Sequence, residues 1–420
     1  MFTVKINYRC KKLLSFFQGE LLFFGILVIL TGCDIAKNDP EPKSSFTSIY
    51  DSDTSGKAYF TYDVRQLPDH GYLIMGRNEV NSLFLLKAKE DGSIEWFNTY
   101  PGYNNPLPKL LFLNNEVYVL AMTDNFSAGA TLLKINDAGR SADRIQSFEN
   151  NLRTLYASPT NDGGLIMLCY DSENSKTVIL KFNNSLQPDE GFNKNGKKEF
   201  TLQINDVLLE KLNNHVYHLD PVSLPFFCGQ LSSASGNLYY FNGFFKSDIS
   251  TIFISTTTGD PVKRLTGYLY QKNTAGLQDL SGNAVALIKY EYENTYLIPS
   301  LKMDSIGGIS NLTDFKGILY TELKPKSNIY TLMKTIKGRN VLLVAGNTKG
   351  NMVVLFAYDP LSGNLLGTKH MGERFPYTVR SMINTADNGI ALAGENLITG
   401  RFLRPVLFKL SEEEISSMIP

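Results

Sequence analysis

The chain has 420 residues in which 41 Lys and Arg balance 41 Asp and Glu, so its composition supplies no strongly basic face of the kind that holds nucleic acid. One Trp stands beside 22 Tyr, 26 Phe and 33 Gly, and no long 3.6-residue periodicity is visible after residue 33, a balance that favours an all-β chain. Length alone suggests two or three domains, but a repeat architecture absorbs such a length in one.

The first 32 residues stand apart from the rest. Lys5, Arg9, Lys11 and Lys12 form a cationic region, and Leu21 to Leu30 an apolar region of secretory type. The segment ends Leu30-Thr31-Gly32-Cys33, which resembles the bacterial lipoprotein signal. That resemblance implies cleavage before Cys33, a diacylglycerol on its thiol and an acylated amino group. Several acyl chains on one residue hold a membrane far better than one, since each buried methylene adds roughly 0.8 kcal/mol. Loss of residues 1–32 removes four of the 41 basic and one of the 41 acidic residues, leaving 37 and 40 and a net charge of −3. The expected address is the bacterial cell envelope, outer membrane ahead of inner membrane. Asp34 after Cys33 signals inner-membrane retention in some bacteria, and the rule differs between lineages.

Residues 33–57 read as anchor and flexible tether, since Ile35-Ala36-Lys37-Asn38-Asp39-Pro40-Glu41-Pro42-Lys43 offers little apolar surface to bury. Asp51-Ser52-Asp53-Thr54-Ser55-Gly56 imitates the start of a calcium loop, but the twelfth position is Tyr62 where a bidentate Glu is needed. A solvated turn is the expectation there.

From residue 58 to 420 a unit recurs. A short strand and a polar turn (His70-Gly71, Asn114-Asn115, Asn161-Asp162-Gly163-Gly164) precede an unbroken apolar strand (Tyr72–Met75, Val117–Met122, Leu165–Cys169). A third strand then ends in Leu85-Leu86-Lys87, Leu132-Leu133-Lys134 or Ile179-Leu180-Lys181, and a second turn such as Asp91-Gly92 reverses the chain into a fourth. Turn residues 71, 116, 164, 237, 283, 340 and 389 give intervals of 45, 48, 73, 46, 57 and 49, which marks seven units. Four strands per repeat of about 45 residues is the signature of β-propeller blades. Continuous apolar strands agree, because a small sheet stacked between two neighbours is buried on both faces.

The 73-residue interval breaks the rhythm. Leu208 to Tyr217 parallels Leu110 to Tyr118 and reads as a strand, so either a hairpin is inserted, blade four starts near residue 208, or a degenerate eighth blade is present. At the other end, only Ile415 to Ile419 remains for the last fourth strand, and Phe46 to Tyr50 is expected to complete that sheet from the N-terminal side.

Two motifs, Asn161-Asp162-Gly163-Gly164-Leu165-Ile166-Met167 and Thr131-Leu132-Leu133-Lys134-Ile135-Asn136-Asp137-Ala138-Gly139, resemble the repeat of secreted and lipid-anchored bacterial β-propeller proteins. Leu180 to Gly196 is similar to the delta-60 type of such repeats. The resemblance spans roughly residues 58–410 and rests on turns and core strands, so it implies fold and says little about activity.

Catalytic signatures are missing from the sequence: no H-E-x-x-H, G-x-S-x-G, Walker loop or C-x-x-C occurs. A lone Trp96 disfavours quinone-cofactor propellers, and no S-x-D-x-G-x-x-W box points to a sialidase. His215 and His218, three apart in an expected strand, would face opposite sides and make a poor metal pair; His70 and His370 read as solvated. Cys169 lies in an apolar strand and is expected to be buried and unpaired, with a bridge to Cys228 the alternative. No catalytic, cofactor or metal residue is assigned, and Cys33 is the one assigned site. The expectation is a non-enzymatic binding or scaffold lipoprotein for a protein or glycan partner, with an envelope glycan-active hydrolase or lyase at the propeller axis as the alternative. The atypical stretch 205–236, with Pro221, Pro225, Phe226 and Phe227, is the expected functional elaboration.

Overall fold

The computed structural model describes residues 44–51, 56–123, 129–136, 141–148, 151–203, 206–216, 224–233, 236–268, 271–372, 376–398 and 402–420. The signal segment, Cys33, Pro221, His218 and most of the calcium-like loop lie outside these residues. The described chain is almost entirely antiparallel sheet built from consecutive strands. One sheet runs Leu152–Pro159, Leu165–Asp171, Lys176–Phe182, Lys197–Thr201, and another Tyr330–Ile336, Arg339–Asn347, Val353–Tyr358, Leu365–Met371. An eight-stranded sheet joins two such meanders, which span residues 59–104 and 111–147, where Tyr103 and Asn104 pair with Thr123 and Met122. The sheet that starts at Phe227–Ser233 gains a parallel fifth strand, Ser310–Asn311, from the connection that precedes Ile318–Leu319 in the next sheet.

Burial follows the sequence pattern. Every residue of Ser82–Ala88, Leu165–Asp171 and Val353–Tyr358 is buried, whereas the outer strands Ile94–Asn104 and Ala142–Ser147 are half-buried to exposed. The apolar clusters lie between neighbouring sheets rather than within one. Leu73, Met75 and Leu85 pack on Leu110, Val119 and Leu133 of the following meander, with Trp96 against the same cluster. The series closes where Val64, Ile74 and Phe84 meet Ile383, Ala391 and Leu407 of the last sheet. Phe84, stacked on Phe97 at 5.3 Å, illustrates the gain, since each such side chain stabilises the fold by about 1.5–3 kcal/mol.

First strands touch in turn around a circle: Tyr59–Gln66 on Tyr377–Asn384, then Tyr330–Ile336, Lys272–Asp279, Phe227–Ser233, Leu152–Pro159 and Leu111–Leu113. Leu110 N–H, donating to Asp63 Oδ2 at 2.9 Å, returns the circle to its start. This is a β-propeller. Two glycines show how tightly the second strands lie on the first: a Cβ at Gly76 or Gly394 would come within 2.0 Å of Phe60 O or 1.7 Å of Thr378 O.

The Leu-Lys signature has a physical meaning. Lys181, fully buried, donates to Asp162 Oδ2 at 2.8 Å and to the Phe182 carbonyl at 2.8 Å, while Asp162 Oδ1 accepts from Gly164 N–H at 3.0 Å. Lys87 with Asp69 (2.6 Å) and Lys409 with Asp387 (2.7 Å) repeat the arrangement. Each pair ties the end of a third strand to the turn between the first two. Burial works against ionising Asp162, but the Lys181, Thr160 and Gly164 hydrogen bonds outweigh it and hold its carboxyl below the usual range; Asp69 and Asp387 behave alike.

Two expectations are corrected. The stretch read as a strand over residues 208–217 is the helix Asp206–Val216. Its Leu212 and His215, three apart, share a helix face, with Leu212 fully buried and His215 edge-on to Phe226 at 4.8 Å. The long interval therefore holds this helix and the 183–196 turn, whose Phe192 is also fully buried. The C-terminal residues form no strand but the helix Glu412–Ser417, capped by Ser411 Oγ, which accepts from Glu414 N–H at 3.2 Å. The fourth strand of the last sheet is Phe46–Ile49, paired antiparallel with Phe402–Leu410, as expected from the N-terminal side. The strand Phe46–Ile49 thus lies inside the segment read as tether. Cys169 and Cys228 are free and buried.

Two outcomes follow. Asp162→Ala takes from the buried Lys181 ammonium one of its two carboxylate partners, leaving Asp189 at 3.2 Å, and is expected to cost about 1–3 kcal/mol, measured by denaturant titration. Because the three turn carboxyls are held low, their stabilisation is complete above the unfolded value of about 4 and is lost as pH falls below it; Asp162→Ala removes its share of that acid dependence. Deleting residues 44–50 uncovers the Phe402–Leu410 edge, and a lower melting temperature with concentration-dependent association is expected by calorimetry and light scattering.

Candidate functional site

Chemistry-bearing side chains gather where the first strands meet. Four first strands carry a β-bulge at the same level, leaving Tyr62, Leu155, Ala275 and Arg380 as the extra residues. A bulge turns its side chain out of the strand's alternation and re-aims it. Tyr62 and Arg380, on adjacent sheets, are thereby brought into one polar neighbourhood with Asp63, Arg65, Lys109, Tyr156, Tyr330 and Glu395.

Asp63 is its pivot. Its buried carboxylate accepts from Leu110 N–H of the next meander and from Ser381 Oγ of the last sheet, and stands 3.9 Å from both Arg65 Nε and Lys109 Nζ. Burial alone would raise its carboxyl, but Lys109, Arg65, Ser381 and Leu110 together hold it below the usual range. Lys109 gains from Asp63, yet burial and the neighbouring Arg65 guanidinium outweigh that gain and lower its ammonium.

Beside it, Arg380 Nε donates to both oxygens of Glu395 at 3.0 and 3.2 Å. Glu395, 1% exposed, is pushed up by burial even against this partner. Arg380 stays protonated: burial opposes its charge, and Glu395 more than compensates. Burial likewise pushes the Tyr62 and Tyr330 phenols up to about 12, with the Arg380 charge working the other way, so both are neutral donors at physiological pH. Arg77 Nε donates to Tyr62 Oη at 2.8 Å and its guanidinium lies 4.0 Å from the Phe60 ring centroid.

Both carboxylates of the arrangement are engaged by hydrogen bonds, whereas Arg65 Nε is buried without a hydrogen-bond partner, 3.9 Å from Asp63. Ser381 donates to a carboxylate held ionised rather than to a base, and the Cys169 thiol is pushed up to about 12 by burial, which leaves it unreactive. Among the described residues no group of three or more His, Cys, Asp or Glu is placed to hold a metal ion. His215 Nδ1 accepts from Leu224 N–H, His70 sits in a left-handed turn 3.9 Å from Glu90, and His370 lies 3.3 Å from Glu322; the structure brings none of them together. Cys33 lies outside the described residues. Within the described part of 205–236, Leu212, Phe226 and Cys228 are buried, with Phe226 against Phe244 and Pro225 O accepting from Asn242, while Leu209 and Glu210 are exposed. Tyr239 and Phe241 are buried between sheets. Sequence reasoning passed over Asp63, Arg380 and Glu395, although a charged residue directly after the apolar run Ile390 to Gly394 was a signal.

Arg380→Ala leaves Glu395 buried without a counter-charge and is expected to cost about 3–5 kcal/mol. Lowering the pH from 7 toward 5 should shrink that deficit, because a carboxyl already raised by burial takes up its proton and sheds the unpaired charge. Denaturation of both proteins across that range measures it; a deficit independent of pH would mean lost packing instead.

No protein-family model matches the chain, and no curated protein matches its sequence. Solved structures similar to it include YCF48 from Cyanidioschyzon merolae, with 9% identity and a TM-score of 0.47 over 87% of this chain and 99% of that one. The Dos1 propeller gives 10% and 0.46 over 84% and 78%. AofleA from Arthrobotrys oligospora gives 10% and 0.41 over 87% of both chains. The propeller architecture rests on the sheet topology and the closed circle of first strands described above.

Proposed function

We propose that the chain is a cell-envelope lipoprotein, anchored through Cys33, whose propeller is a non-enzymatic binding or scaffold module for a protein or glycan. The ring is read as seven blades, with the eight-stranded sheet counted as two meanders and Phe46–Ile49 as the outer strand of the last. This count agrees with the seven sequence units. The observation that carries the binding reading is the state of the axial groups. Asp63 is taken up by Ser381 and Leu110 from outside its own meander, and Glu395 by Arg380 of the adjacent strand in the same sheet, so both carboxylates are engaged in structural contacts rather than free to transfer protons. A propeller whose axis is locked in this way offers its rims and loops as the recognition surface.

One experiment tests both halves. Cells making the full chain are labelled with palmitate, and the envelope is cross-linked before affinity capture. The expected result is label on the wild type, loss of label and release from the membrane in Cys33→Ala, and one partner enriched over an unrelated lipoprotein. An unlabelled wild type overturns the anchor; a labelled one with no enriched partner overturns the binding module.

A further inference from the structure

Outside the axis, one cavity of about 440 Å³ opens where the fourth and fifth blades in that reading meet, lined by Thr266, Tyr268, Lys272, Tyr292, Leu312 and Thr313. It holds two of the most exposed aromatic rings of the described chain, Tyr268 at 56% and Tyr292 at 55%. Two open rings lining one cavity are the kind of exposed apolar surface that marks a ligand groove.

Their positions are fixed by backbone. Tyr268 N–H donates to Lys272 O at 2.8 Å and Gln271 N–H to Tyr268 O at 3.1 Å, so Tyr268 is bonded to the start of the fifth blade in that reading. Tyr292 N–H donates to Gln271 O at 2.7 Å, so the hairpin that bears the second ring is tied to the loop that bears the first. Gly267, before Tyr268, has no room for a side chain, since a Cβ would lie 2.4 Å from Ile249 O and 2.5 Å from Lys272 O.

Tyr292 also has φ +56°, and is the one tyrosine among the left-handed residues described. Asn fills nine of the seventeen non-glycine left-handed positions described, including Asn81, Asn283, Asn351 and Asn388, because its short polar side chain accepts that conformation; Leu186, Lys246, Lys326 and Lys337 adopt it too. A bulky ring in a hairpin turn where Asn would suit the backbone better is backbone strain kept for the sake of the ring.

The chemistry of the lining selects the ligand. Two phenol rings present apolar faces, Thr266 and Thr313 add short hydroxyl side chains, and Lys272 Nζ lies 5.3 Å from the Tyr292 ring centroid. No carboxylate lines the cavity, and among the described residues none forms an ion pair with Lys272. A pyranose ring matches this set, since its C–H face stacks on an aromatic ring while its rim hydroxyls take hydrogen bonds. The lone ammonium favours a sugar that bears a carboxylate. We infer that the cavity between Tyr268 and Tyr292 is a saccharide-binding subsite for an acidic pyranose of an envelope or extracellular glycan. The inference rests on the binding-module reading and names its ligand class.

The test is titration of the full chain, in detergent, with oligogalacturonates and with the corresponding neutral galactose oligosaccharides. Tyr292→Asn is the informative variant, because it removes the ring while relieving the left-handed backbone. Binding of the acidic oligosaccharide is expected in the wild type, weaker by about tenfold or more in Tyr292→Asn and in Tyr268→Ala, with the Tyr292→Asn melting temperature undiminished. Lys272→Gln is expected to erase the preference for the acidic over the neutral series. Wild-type affinity retained in both Tyr variants would overturn the site. Failure of the wild type to bind either series would overturn the ligand class, and partner capture from the envelope then shows separately whether the binding-module reading stands.

Discussion

A small sheet that is apolar on both faces cannot stand alone in water, and this constraint shapes the whole chain. Strands such as Leu165–Asp171 and Val353–Tyr358 are buried from end to end, so each sheet needs a neighbour on either side. A row of sheets would leave two bare faces. Closing the row into a ring leaves none, and the cluster of Val64, Ile74 and Phe84 with Ile383, Ala391 and Leu407 is where that closure is made. Pairing of Phe46–Ile49 with the last sheet then joins the two ends of the fold across hydrogen bonds.

Polar groups serve the same closure. Lys87, Lys181 and Lys409 each carry a charge into the protein and find an Asp in a turn of their own sheet. Such a pair adds little to net stability compared with apolar replacements, but it sets the register between the third strand and the first turn. At the axis, Asp63 takes hydrogen bonds from two neighbouring sheets, and Asp279 and Asn347 make comparable links, to Ser232 N–H at 2.9 Å and Val379 N–H at 2.8 Å. The carboxylates at the centre of the ring are therefore engaged in contacts between strands and between blades.

On the proposed binding reading, engagement of the axial carboxylates leaves recognition to the rim. Loops between sheets and hairpins between second and third strands come together there, and they carry residues that the core does not need. Tyr268 and Tyr292 are of this kind. Both stand exposed on hydrogen-bonded backbone, and Tyr292 is the one aromatic side chain other than His70 at a left-handed position among the described residues.

The sequence by itself determined the repeat, the all-β class, the two-faced burial of the middle strands and the supply of a closing strand from the N-terminal side. These are local or periodic properties, and apolar run length with turn chemistry encodes them directly. It misjudged residues 208–217, because Leu208-Leu209 with Leu212 parallels Leu110-Leu111 with Leu113, and only the packing of Leu212 and Phe226 against the neighbouring sheet selects a helix. The axial neighbourhood was decided by tertiary structure alone. Asp63, Leu110 and Ser381 are far apart in the chain, and bulges that add one residue to a first strand leave no mark in a period-two pattern. The same holds for the Tyr268 and Tyr292 cavity, since two tyrosines in separate turns become one site only when the hydrogen bond from Tyr292 to Gln271 ties those turns together.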